Sequence, residues 1–118
     1  MYICLMYSKE LLKGTLKTII LNLLSENGKM YGYEITQKVK DLSDGRLVLT
    51  EGALYPSLHA LVSDGLLITE TVSIGKRVRK YYSLTKQGDV TATEKVNEFA
   101  DFIGTMKLIL SPKLKTQI

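Results

Sequence analysis

Two β-type runs lie side by side in this chain, LLITETV (Leu66–Val72) and VRKYYSL (Val78–Leu84), joined by Ser73-Ile74-Gly75-Lys76-Arg77. Their β-branched and aromatic residues, with a glycine in the connection, predict a hairpin. In the second run Val78, Tyr82 and Leu84 share one face, and Arg77, Arg79 and Tyr81 share the other. The long segments on either side have helical spacing instead. Leu12, Leu16, Ile19, Ile20 and Leu23 recur at three- and four-residue steps and predict a first helix over Lys9–Ser25, stopped by Asn27-Gly28. A second helix, Tyr31–Leu42, carries Ile35, Val39 and Leu42 on one face and ends at Ser43-Asp44-Gly45. Arg46–Leu49 reads as a short extended piece.

The third helix is unusual. In EGALYPSLHALVSDGLL, residues 51–67, Thr50 is the predicted N-cap and Glu51 is favourably placed in the first turn. Leu54, Leu58, Leu61 and Val62 make an apolar stripe. At 100° per residue Gly52, Pro56, His59, Ala60 and Ser63 fall opposite, a face almost bare of side chains. Pro56 sits early in the helix, where a missing N–H costs least. A helix meant only to pack needs no trimmed face, whereas one pressed against another surface does. Thr85 then caps a last helix expected to reach about Leu110, with Ser111-Pro112 as its break. The order helix, helix, short strand, helix, hairpin, helix is that of a winged helix-turn-helix, mainly α with a β-hairpin. In that fold the third helix enters the DNA major groove.

Charge supports this reading. The 118 residues make one small domain with a net charge of +4, and Lys76, Arg77, Arg79 and Lys80 crowd together without an acid beside them. The basic run has a second reading as a solvated hairpin. Base contacts in the bare face are limited to Tyr55, Ser57, His59 and Ser63, so shape and backbone contacts are expected to carry much of any specificity. Tyr31 and Tyr33 flank Gly32 at the start of the second helix, where phenol hydroxyls meet phosphate or, alternatively, one or both rings join the core.

Other chemistries lack residues. One histidine and one cysteine, with no close carboxylate cluster, leave a metal site without ligands, and no base-and-orienter set for nucleophilic catalysis can be assembled around His59. No cofactor is implied. The single cysteine, Cys4, excludes an internal disulfide and suits a reducing, cytoplasmic setting; it reads as a buried small hydrophobe more readily than a redox switch. No stretch approaches the roughly 18 apolar residues of a membrane span, and the opening MYICLMYSKE lacks the basic start of a signal peptide. Met1, Tyr2, Met6 and Tyr7 read either as lining for a ligand pocket or as an apolar segment packed on a neighbour.

The blocks LLKGTLKTIILNLL, YGYEI, EGALYPSLHALVSDGLL and GKRVRKYYSLTKQG together resemble the PadR family of winged-helix transcriptional regulators, over residues 11–88. The most specific pieces are Gly52 to Leu58, with Ala53 where Thr is commoner, and Arg79 to Thr85. The resemblance implies a homodimeric repressor on double-stranded DNA, with residues 1–84 as the winged domain and 85–118 as a dimerising helix in one compact unit. The single short C-terminal helix is similar to that of the smaller subfamily. It also implies release by a small hydrophobic or aromatic effector, although the tryptophan with which some members hold flat ligands is missing here. The DNA contacts expected are Tyr31, Tyr33, Thr50, Glu51, Gly52, Ala53, Tyr55, Pro56, Ser57, His59, Lys76, Arg77, Arg79, Lys80 and Tyr81. The rival reading is a winged-helix module that binds protein and not DNA.

In the last helix Ala92, Val96, Phe99, Ile103, Met106 and Leu110 are separated by four and three residues in alternation, a heptad seam widened by Phe102 and Ile109. The seam predicts packing on the same helix, and on the first helix, of a second protomer; folding back on its own first helix is the alternative.

Overall fold

The computed structural model describes residues 7–116, with side chains as far as Ser111. The expectations placed on Met1, Tyr2, Cys4 and Met6 lie outside the described residues. Five helices, α1 (Lys9–Leu12), α2 (Leu16–Asn27), α3 (Gly32–Leu42), α4 (Glu51–Ser63) and α5 (Lys86–Thr116), accompany three strands, β1 (Met30–Tyr31), β2 (Leu67–Ile74) and β3 (Arg77–Leu84). The strands form one antiparallel sheet in the order β1-β3-β2. The winged helix-turn-helix is thus present: α2, α3 and α4 precede a hairpin, and α5 follows.

The expected first helix is divided. Ser8 caps α1 by accepting from the Leu11 N–H, and Lys13 then turns extended. Gly14 follows at φ 89°, a region that a residue with a Cβ rarely enters, so the helical spacing across residues 12–16 does not make a continuous helix. The third strand also differs from expectation. Arg46–Leu49 does not pair, and the sheet is completed by Met30 opposite Tyr82 and Tyr31 opposite Tyr81. Two residues are too few to show a period, which is why the sequence pattern passed over them.

The stripe residues Ile20, Leu23, Ile35, Leu54, Leu58, Leu61 and Tyr82 are buried, joined by Leu21 and Leu24, which the stripes did not include, while Leu12, Leu16 and Ile19 are half-buried. Two members of the stripes stay outside. Leu42 is the last residue of α3, and Val78 stands near the hairpin tip beyond the reach of the helices, and both are exposed. The hairpin pairs through Ile74 and Arg77 and closes on Gly75-Lys76 alone, tighter than the five-residue connection expected.

α5 starts on a firm joint. Thr85 donates its N–H to the Leu66 carbonyl at 3.0 Å and its hydroxyl to the Gly65 carbonyl at 2.8 Å, while Oγ1 accepts from the Gly88 N–H at 3.0 Å. The helix continues through Ser111 and Pro112, where a break was expected. Proline removes one N–H from the ladder, and the remaining bonds on both sides carry the helix past it. The seam divides between two environments. Ala92 is buried in the core of its own chain, beside α2, so it does not belong to a free seam. Val96, Phe99 and Met106 are half-buried, and Phe102, Ile103, Ile109 and Leu110 are exposed. Among the described residues, no helix is long and apolar enough to cross a membrane.

Candidate nucleic-acid interface

The bare face of α4 is on the surface. Thr50 caps the helix by accepting from the Ala53 N–H at 3.2 Å, and Glu51, Gly52, Ala53, Pro56, His59 and Ser63 are exposed. The opposite stripe, Leu54, Leu58 and Leu61, is at most 1% exposed, so the helix cannot rotate without withdrawing three leucines from the core. Ser57 is half-buried and donates its hydroxyl to the Ala53 carbonyl at 3.2 Å, leaving only its acceptor capacity for a partner.

Tyr55 occupies a different place from the bare face on which it was expected. Its ring is half-buried and lies against the backbone of Gly32, the first residue of α3. A Cβ added at Gly32 would collide with the Tyr55 hydroxyl and come within 2.8 Å of Cζ. Glycine at this position leaves room for the Tyr55 ring of α4 against the start of α3.

The contacts continue from Gly32 into the wing. Tyr31, immediately before it, pairs with Tyr81 across the sheet, and their rings meet edge to face with centroids 5.5 Å apart. The Arg79 guanidinium lies 4.0 Å from the Tyr31 ring centroid and donates from Nη1 to the Tyr81 hydroxyl at 3.4 Å. That hydrogen bond, with the nearby phenols and Glu34, raises the Arg79 pKa further above its ordinary value. Arg79 is therefore held by two tyrosines, unlike the exposed cations around it. Lys76, Arg77 and Lys80 are exposed, with the Lys80 ammonium 5.9 Å from the Tyr82 ring centroid.

Two residues that sequence reasoning missed complete the cluster. Lys29 pairs with Glu70 of β2 at 3.1 Å and lies 5.5 Å from the Tyr81 centroid. Glu34 accepts the Tyr31 N–H at 3.1 Å, one half of a capping box, and favours the α3 N-terminus. The signal for both was the order Lys29-Met30-Tyr31-Gly32-Tyr33-Glu34, a strand end running directly into a helix start. Tyr33 is exposed, which settles its core alternative against packing; Tyr31 is half-buried among wing residues.

A chain of contacts thus runs from α4 through Tyr55, Gly32 and Tyr31 to Arg79 and Tyr81 on β3. It fixes the bare helix relative to the basic strand. Among the described residues, no group of three histidine, cysteine or acidic side chains could hold a metal ion.

Comparison with known proteins bears on what such a surface does. Residues 20–94 match the family model described as the transcriptional regulator PadR-like family. The transcriptional regulator Rv3488 of Mycobacterium tuberculosis is 33% identical over 86 residues, covering 73% of this chain and 77% of that protein. A transcriptional regulator from Clostridium thermocellum has a similar structure, with a TM-score of 0.77 and 29% identity, covering 86% of this chain and 95% of its own. A PadR-like transcription factor from Bacteroides fragilis is similar at a TM-score of 0.70 and 35% identity, covering 85% of this chain and 94% of its own.

Proposed function

The chain belongs to the PadR-like family of transcriptional regulators, which are not enzymes, and on that premise we propose that it binds double-stranded DNA as a homodimeric repressor of a near-palindromic operator. One observation carries this reading: the contacts Tyr55–Gly32–Tyr31–Arg79 hold the bare face of α4 in fixed relation to the cations of β3. α4 enters the major groove, where Gly52, Ala53 and Pro56 allow close approach and His59 and Ser57 offer hydrogen-bonding groups. Glu51 and Thr50 lie at its leading end, and Tyr33 at the start of α3 faces the backbone. Lys76, Arg77 and Lys80 hold phosphates from the exposed wing, while Arg79 orients Tyr31 and Tyr81.

Dimerisation runs through α5. Val96, Phe99, Phe102, Ile103, Met106 and Leu110 extend past the region of Ala92 that serves the chain's own core, and a second copy supplies the cover they lack. Two-fold symmetry then requires inverted half-sites roughly 10 bp apart centre to centre. A small hydrophobic or aromatic effector, as the family resemblance implies, would act by changing this spacing.

Selection of binding sites from random DNA, followed by salt titration of the selected duplex, tests the reading. The expected outcome is a palindromic site whose affinity falls steeply with salt. Replacing Arg77 by Ala is expected to weaken selected and random duplexes alike and to flatten the log–log salt slope by about 0.9 for each lost phosphate contact, one in each protomer. Absence of any enriched site, or affinity for DNA that does not respond to salt, would refute DNA binding and favour a protein-binding module.

A further inference from the structure

A groove of about 1030 Å³ separates the N-terminal segment of the chain from the leading half of α4. Its α4 side consists of Thr50, Gly52, Ala53 and Ser57, the first turns of the bare face. Its N-terminal side carries Lys9, Lys13 and Lys17 among Tyr7, Leu12, Gly14 and Thr15, and no carboxylate lines it. Leu16, Ile19 and Leu47, which line the groove between these sides, pack against the buried core and form its outer layer.

We propose that Lys9, Lys13 and Lys17 form a second phosphate-binding edge, so that α4 is flanked by cations on this side as well as by the wing. The inference rests on the DNA-binding reading and extends it to residues outside the helix-turn-helix and the wing. All three lysines are exposed, and among the described residues none of them has a carboxylate partner; the ion pairs there are Lys29–Glu70 and Lys95–Glu98. Glu10 and Glu51 are close in sequence to the two sides, yet neither lines the groove. A duplex seated on Gly52 and Ala53 brings a strand of phosphates over this side, because the backbone borders the major groove that α4 occupies. Long, singly charged side chains suit phosphate contacts that position without reading sequence. In the sequence the three residues are four apart and mixed with one acid, so they make no charge run. Their common position follows from the turn at Lys13–Thr15, which keeps both helical pieces along the groove.

The experiment is a salt titration of the full chain on its selected duplex, comparing wild type with Lys9→Gln/Lys13→Gln/Lys17→Gln and with Lys95→Gln/Lys107→Gln on α5. The edge variant is expected to lose affinity for selected and random duplexes equally, keeping its sequence preference. Its log–log slope should flatten by about 0.9 per lost contact in each protomer, making the loss between 50 and 200 mM salt about 3.5-fold smaller per contact. The α5 variant is expected to keep the wild-type slope. An edge variant that melts like wild type and keeps its slope overturns the proposal, as does an equal change in both variants, which would reflect net charge alone. If the wild type itself shows no salt-dependent binding, the DNA reading fails and the edge with it.

Discussion

Gly88 and Gly104 are both in α5, and the structure predicts opposite signs for the same substitution at the two positions. Alanine is ordinarily favoured over glycine inside a helix by about 0.8–1.0 kcal/mol. At Gly104 an added Cβ meets nothing within 4 Å, so the full propensity gain is available. At Gly88 the added Cβ would collide with the Leu66 carbonyl oxygen and sit 3.0 Å from its carbon. That carbonyl is backbone, and it accepts the Thr85 N–H at 3.0 Å, so it cannot swing aside as a side chain would. Overpacking costs about 1–3 kcal/mol, and a collision with backbone that cannot move belongs to the upper part of that range, about 2–3 kcal/mol, more than the propensity gain. The net expectation for Gly88→Ala is destabilisation by about 1–2 kcal/mol, and for Gly104→Ala stabilisation by about 1 kcal/mol. At roughly 4 °C per kcal/mol for a chain of this size, Tm should fall by about 4–8 °C in the first variant and rise by about 4 °C in the second. Thermal unfolding followed by circular dichroism at matched protein concentration reads both. Because Thr85 and Gly88 set where α5 leaves the winged domain, Gly88→Ala should also weaken operator binding more than binding to a single half-site. A Gly88→Ala protein as stabilised as Gly104→Ala would refute the close approach and with it the rigid joint.

Three further outcomes are expected. Thr50→Ala removes the cap that accepts the Ala53 N–H and should cost about 1 kcal/mol in chemical denaturation. Burial, aided by Tyr55, raises the Tyr82 phenol pKa above the ordinary 10.0, so the neutral form is favoured in the folded state; that stability is fully present below the ordinary value and lost as pH rises through the raised one. Urea midpoints measured from pH 9 to 12 should fall in wild type and fall less in Tyr82→Phe. Ile103→Asp places a charge in the proposed α5 seam, where burying each apolar side chain contributes about 1.5–3 kcal/mol, and sedimentation equilibrium should show folded monomers. A folded Ile103→Asp protein that remains a tight dimer would remove that residue from the interface.

How much of this was legible in the sequence depends on whether a feature is periodic. Leu54, Leu58 and Leu61 were assigned to the core from spacing, and they are buried, because four residues of helix return a side chain to the same face whatever the partner. The hairpin and the Thr85 cap were legible for the same reason, each being a local pattern with a local cause. Leu42 and Val78 continued such patterns past the point where a partner element exists, and spacing alone cannot say where the partner ends. β1 was illegible because two residues have no period, although its pairing with Tyr81 and Tyr82 ties the start of α3 to the wing. Arg79 was readable as a cation but not as a stacked one, since its neighbours Tyr31 and Tyr81 come together only through that pairing.

The glycines show a deeper limit. In the sequence Gly32 looks like a helix start and Gly88 like a weak point in a helix, and neither has positive φ to demand glycine. Their role is the space they leave for a neighbour from elsewhere in the chain: the Tyr55 ring at one, the Leu66 carbonyl at the other. Both neighbours touch α4, since Tyr55 projects from it and the Leu66 N–H bonds back to the Leu61 carbonyl at its C-terminal end. The first contact ties α4 to α3 and the wing, and the second ties it to the start of α5. The buried leucines hold the bare helix on the core, and these two close approaches add a contact from its Tyr55 to α3 and one from its C-terminal end to the start of α5.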